Sequence, residues 1–83
     1  MEKVFSREES DKILKEKMMF IGKIVREERQ KRGWDILELI IKSGISQVAL
    51  YNIEAGRTRN ITLESVIGLS IAFDMDIFKL ISD

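Results

Sequence analysis

The stretch Ser43–Gly56, SGISQVALYNIEAG, constrains the fold of this chain more than any other. Gly44 can take a positive φ that a residue with a side chain resists, so the backbone can reverse there. Ser46 then offers a hydroxyl that can accept a bond from an exposed amide, which predicts a helix starting at Gln47. In that helix Leu50 and Ile53 lie three apart and, with Ile45 ahead of them, form one apolar stripe. Gln47, Val48, Tyr51 and Asn52 fall on the other side. One face suits a core and the other a partner. Gly56 closes the helix where a left-handed cap is usual, and Arg57 and Arg59 follow in a loop. The expected layout is helix, sharp glycine turn, short helix, basic loop.

The remaining segments also read as helical. Ser6 with Glu9 three residues on has the form of a capping box and predicts a helix from Arg7. Leu14, Met18, Ile21 and Val25 follow helical spacing, broadened by Ile13, Phe20 and Ile24, and interrupted only by Gly22. A helix unbroken from 7 to 32 would be about 39 Å long, so it must kink near Gly22 or project beyond its own core. The basic residues Arg26, Arg29, Lys31 and Arg32 precede its end at Gly33, as suits a helix C-terminus. Trp34 is expected as a large buried anchor, and Asp35 as the cap of a helix over 36–42. That helix has almost no polar face and needs cover on more than one side, which the N-terminal arm or a second chain would supply. Thr62 should cap a helix over 63–73 with Leu63, Val66, Ile67, Leu69 and Phe73 inward. Asp74 and Met75 make a turn, and Ile77, Phe78, Leu80 and Ile81 form a last short helix.

Composition sets the limits. With 83 residues, 45 % of them hydrophobic, the chain can bury one modest core, and a second copy would help so small a domain. It has no cysteine and no histidine, hence no disulfide, no thiolate metal site, no thiol nucleophile and no imidazole base. No clustered carboxylates, glycine-rich phosphate loop or nucleophile motif is present either, so neither catalysis nor a cofactor is expected. No apolar run approaches the roughly 20 residues that cross a bilayer, and the opening MEKVFSREES is too charged for a signal peptide; a cytoplasmic protein is expected. The formal net charge is zero, which argues against an anionic partner, but it is unevenly spread. Residues 21–45 carry six positive and four negative side chains, and residues 61–83 one positive and four negative. One face is mildly basic and the C-terminal face acidic.

From Ile21 to Ile81 the chain resembles the lambda-repressor-like helix-turn-helix domain of the XRE family, which includes the Cro-type proteins. The residues that carry the likeness are Ile21, Gly22, Val25, Arg29 and Gly33 in the first helix, and Leu39. The turn Gly44-Ile45-Ser46 matches as well, as do Leu50, Ile53, Glu54 and Gly56, and the closing Leu69, Phe73, Ile77 and Leu80. The resemblance implies an all-α, five-helix DNA-binding domain over residues 21–83, with residues 1–20 as a helical extension. It implies that Gln47, Val48, Tyr51 and Asn52 meet base edges in duplex DNA, that Ser46, Arg57, Thr58 and Arg59 hold phosphates, and that Arg29 pairs with Glu54 as a structural link. Glutamine and asparagine can bond adenine bidentately and valine can pack on a thymine methyl, so the residue types suit that work. Three positions depart from the family pattern. Ile36 stands where a phosphate-contacting glutamine is common, Ile40 where alanine is usual, and Asn60 or Ile61 in place of a loop proline. Bulk at Ile40 bears on the angle between the two motif helices. The function implied is a homodimeric transcriptional regulator on an inverted-repeat operator. The alternative is an antitoxin-like module that binds a protein partner through helix 36–42 or the N-terminal arm.

Overall fold

The computed structural model describes residues 6–58 and 60–77. Four helices are present among them: α1 (Arg7–Lys31), α2 (Ile36–Ser43), α3 (Gln47–Glu54) and α4 (Leu63–Phe73). The fold is all-helical, with four helices where five were expected. Of the expected fifth, only Ile77 lies within the described residues, and it is buried against the core.

Each helix begins on a side chain suited to the task. Ser6, Asp35, Ser46 and Thr62 sit in extended conformation and accept a bond from the amide three residues on, at Glu9, Glu38, Ala49 and Ser65. Such caps satisfy donors that the first turn leaves without partners. At the other ends, Gly33 and Gly56 take φ of +71° and +70°. The amides of Gly33 and Trp34 return to the carbonyls of Gln30 and Arg29, and those of Gly56 and Arg57 to Ile53 and Asn52. These paired bonds are the usual way a left-handed residue closes a helix.

α1 does not kink at Gly22. It runs as one helix of 25 residues, about 37 Å at 1.5 Å per residue, and gives the molecule its long dimension of 46 Å against 22 and 21 Å across. Gly22 serves a close approach instead: a Cβ there would stand 2.3 Å from the Ile53 carbonyl oxygen and 3.0 Å from that of Glu54. The backbone of α1 thus lies directly on the end of α3. Gly68 does the same for α4 on α2, where a Cβ would meet the Ser43 carbonyl oxygen at 2.3 Å.

The core gathers Met18, Ile21 and Val25 of α1, Leu39 of α2, Ile45 of the turn, Leu50 and Ile53 of α3, Val66, Leu69 and Phe73 of α4, and Ile77. Two expectations fail here. Leu63 and Ile67 are exposed, because α4 turns Val66, Leu69 and Phe73 inward and uses Gly68 to meet α2. An apolar helix of this kind shows no single stripe, so periodicity alone misplaced its inward face. Nor do the described residues of the arm, 6–20, cover α2. α1 packs on α3 and α4, the first turns of α1 are exposed, and Leu37 and Ile41 of α2 face solvent at 59 % and 74 % exposure.

Trp34 is half-buried rather than a fully buried anchor. It stacks on Phe73 at 5.8 Å between ring centroids, while the Arg32 guanidinium lies 4.9 Å from the Phe73 ring and 5.5 Å from Trp34, and the Lys42 amine 5.0 Å from Trp34. Arg32 also donates to the Phe73 carbonyl at 2.8 Å, capping the last turn of α4 from the end of α1. Cations over aromatic faces and at a helix C-terminus are both favourable.

Gly22→Ala would raise helix propensity by about 1 kcal/mol on an isolated helix. Here it is expected to lower stability by about 2 kcal/mol, because the methyl group must displace backbone. Urea denaturation of the variant beside wild type measures the sign directly.

Candidate nucleic-acid interface

The turn between α2 and α3 is built from Ser43, Gly44 and Ile45. Gly44 has φ +73° and its amide bonds the Ile40 carbonyl at 2.9 Å. The Ser43 hydroxyl donates to the Leu39 carbonyl at 2.6 Å and accepts from the Ile45 amide at 3.2 Å, so a single side chain ties the end of α2 to the start of the turn. The axes of α2 and α3 bend by 114° at this point, within the range of about 90–120° expected of a helix-turn-helix pair. Bulky Ile40 has not driven the angle outside that range.

Leu50 and Ile53 are buried at 0 % and 3 % exposure, and with Ile45 they anchor α3 to the core. Its opposite side is open. Gln47 and Tyr51 are exposed, Val48 is 71 % exposed, and Asn52 is half-buried at the edge, its carbonyl accepting from the Arg57 amide. The structure therefore gathers these four residues on one outward surface.

The loop residues are less uniform. Ser46 is exposed, but its hydroxyl oxygen already accepts from the Ala49 amide at 3.2 Å. Arg57 is exposed just beyond the end of α3. The Thr58 hydroxyl donates to the Asn60 carbonyl at 3.0 Å and so closes the loop on itself. Arg59 lies outside the described residues. Ile36, at the start of α2, packs partly against the core.

Behind α3 stands the Arg29 and Glu54 pair. Arg29 Nε donates to Glu54 Oε2 at 2.8 Å and Nη2 to Oε1 at 3.0 Å, a bidentate arrangement. Nη1 donates to the Trp34 carbonyl at 2.9 Å. The side chains keep only 15 % and 9 % of their exposure, and the bonds to Glu54 raise the Arg29 pKa above its ordinary value. Planar fork geometry is what a guanidinium offers and an ammonium does not. The pair fixes the end of α3 to the middle of α1.

Sequence reasoning missed a second cluster on α1. The Arg32 guanidinium donates to Glu28 Oε1 at 2.7 Å and to the Glu28 carbonyl at 3.0 Å, and the Lys31 amine donates to Glu28 Oε2 at 3.1 Å. The bond from Arg32, with help from Lys31, holds the Glu28 carboxyl below the usual carboxylate range despite its partial burial. Their i, i+3 and i, i+4 spacing was the available signal.

A core-anchored helix, bent at a glycine turn and presenting polar residues outward, defines a helix-turn-helix protein. A helix-turn-helix family model matches residues 25–80, and the chain belongs to this Cro/C1-type, lambda-repressor-like family of DNA-binding domains. Comparison with curated proteins and with solved structures finds no match. Among the described residues no single helix is long and apolar enough to cross a membrane; α2 and α3 reach that composition only as a bent pair.

Arg29→Met would leave the Glu54 carboxylate partly buried without its two strongest donors, at an expected cost of about 3 kcal/mol in chemical denaturation. Glu28 gives a pH signature. Its folded-state pKa is depressed, so its contribution is present above the unfolded value and is lost as pH falls through the folded one. Glu28→Gln should therefore be less stable than wild type at pH 7, with the gap closing in melts taken below about pH 4.

Proposed function

We propose that the protein is a sequence-specific DNA-binding transcriptional regulator that acts in the cytoplasm as a homodimer on an inverted-repeat operator, with no cofactor. The observation that carries this reading is the outward surface of α3, where Gln47, Val48 and Tyr51 are exposed and Asn52 lies half-buried at the edge, on a helix bent 114° from its neighbour. In this role α3 enters the major groove, Gln47 and Asn52 bond adenine edges and Val48 meets a thymine methyl. Ser46, Arg57, Thr58 and Arg59 hold the phosphates alongside, contacts that set register without reading sequence. Two recognition helices about 34 Å apart would address half-sites one turn apart on one face of the duplex. Residues 1–20 act as an arm to the domain 21–83.

A second reading has its own support. Leu37 and Ile41 on α2 and Ile71 on α4 are large, aliphatic and open to solvent, on two helices whose backbones meet at Ser43 and Gly68. Such a surface suits a protein contact, either with a second copy of this chain or, in the antitoxin-like alternative, with a different protein.

Selection from random duplex DNA is expected to enrich an inverted repeat. On that duplex Gln47→Ala and Asn52→Ala should each cost about 1–3 kcal/mol of specific binding while leaving the melting temperature near wild type. Equal affinity in wild type and in the double variant would refute the base-reading role. A stoichiometric protein partner recovered in place of any selected duplex would favour the second reading.

A further inference from the structure

The arm carries more than length. Counting along α1, Lys12, Lys15, Lys23 and Arg26 recur at helical spacing down one flank, with Met19 and Gly22 on the same line, and all four cations are exposed. That flank faces the C-terminal end of α3. Met19 lies against Gly56, where a Cβ would come within 3.1 Å of the Met19 Cα. On one side of this contact Lys15 and Leu14 share a hollow with Gly56, Arg57 and Thr58. On the other, Lys23 and Arg26 line a hollow with Glu54 and Ala55. The cations thus sit on both sides of the point where α3 ends and its loop begins. Acidic groups are close as well: Asp11 borders the first hollow, and Glu27 lies 3.9 Å from Lys23 in an exposed pair.

We infer that the flank of α1 bearing Lys12 and Lys15 is a second phosphate-binding stripe, which carries contact with the DNA backbone past the end of α3. The inference rests on the DNA-binding reading and extends it to residues ahead of position 25, where the family match begins. The geometry supplies the reason. Arg57 is exposed beside the same hollow as Lys15, and α1 continues from there toward Arg7 beyond the body of the domain, so a duplex seated on Arg57 and Thr58 runs beside the arm. An exposed lysine beside a phosphate displaces condensed counterions, and its contribution is independent of sequence.

The test measures affinity for the selected duplex, and for a mixed-sequence duplex of about three helical turns, across roughly 50–200 mM salt. Wild type is compared with the Lys12→Ala/Lys15→Ala double variant, thermal melts confirming that both are folded. The expected result is a slope of log affinity against log salt that is shallower by about 2 in the double variant, with the same fold-loss on both duplexes. An unchanged slope, while Gln47→Ala and Asn52→Ala still abolish preference for the selected duplex, overturns the stripe and leaves the DNA-binding reading standing. Wild type that binds neither duplex overturns both.

Discussion

A single guanidinium holds this molecule in register. Arg29 leaves the middle of α1, grips the carboxylate that ends α3 with two bonds, and spends its remaining nitrogen on the carbonyl of Trp34 just past its own helix. α1, α3 and the turn after α1 are therefore fixed by one planar group. Charges removed from water in this way hold a geometry only if all their bonding capacity is met, and no buried side-chain nitrogen or oxygen among the described residues lacks a partner. The pair is possible because Gly22 lets the two backbones meet. With a larger residue there, α1 would stand off α3 and the fork would lose its reach.

Around this link, the ends of the helices are closed with unusual completeness for so short a chain. Four side-chain caps begin the helices, a left-handed residue follows or ends each of the four, and Arg32 reaches across to the Phe73 carbonyl at the end of α4. Each such feature is worth on the order of 1 kcal/mol, which matters in a domain whose core holds only eleven buried hydrophobic residues among those described. The ordering falls most heavily on α3. It has eight residues, too few to persist alone in water, and it exists as a helix because Ser46, Gly56, Leu50 and Ile53 hold it at both ends and along one side.

Much of this was legible because the determinants are local. Ser6, Asp35, Ser46 and Thr62 announce helix starts through their own chemistry, and Gly33, Gly44 and Gly56 mark positions where only a left-handed backbone continues the chain. The outward set on α3 followed from Leu50 and Ile53 claiming the opposite face. What escaped were features set by another element. Gly22 reads as a weak point within its own helix and becomes a seat for α3 only once α3 is placed. Gly68 gave no local hint of its contact with Ser43. Leu63 and Ile67 read as inward in the sequence because α4 is apolar on most sides, and which side turns in depends on where α2 lies. The stacking of Trp34 on Phe73 beneath Arg32 joins residues about forty positions apart, beyond the reach of any periodicity.

α1 is a wall of the core from Leu14 onward and an exposed rod over residues 7–13, with no break between them. A helix resists bending over such lengths, so a load on its free end is not absorbed locally. It arrives as torque at Gly22 and Arg29, the two points where the rod is clamped to α3. Whatever grips the first turns of the chain therefore gains leverage on the tilt of α3, through a beam already in place and without any hinge.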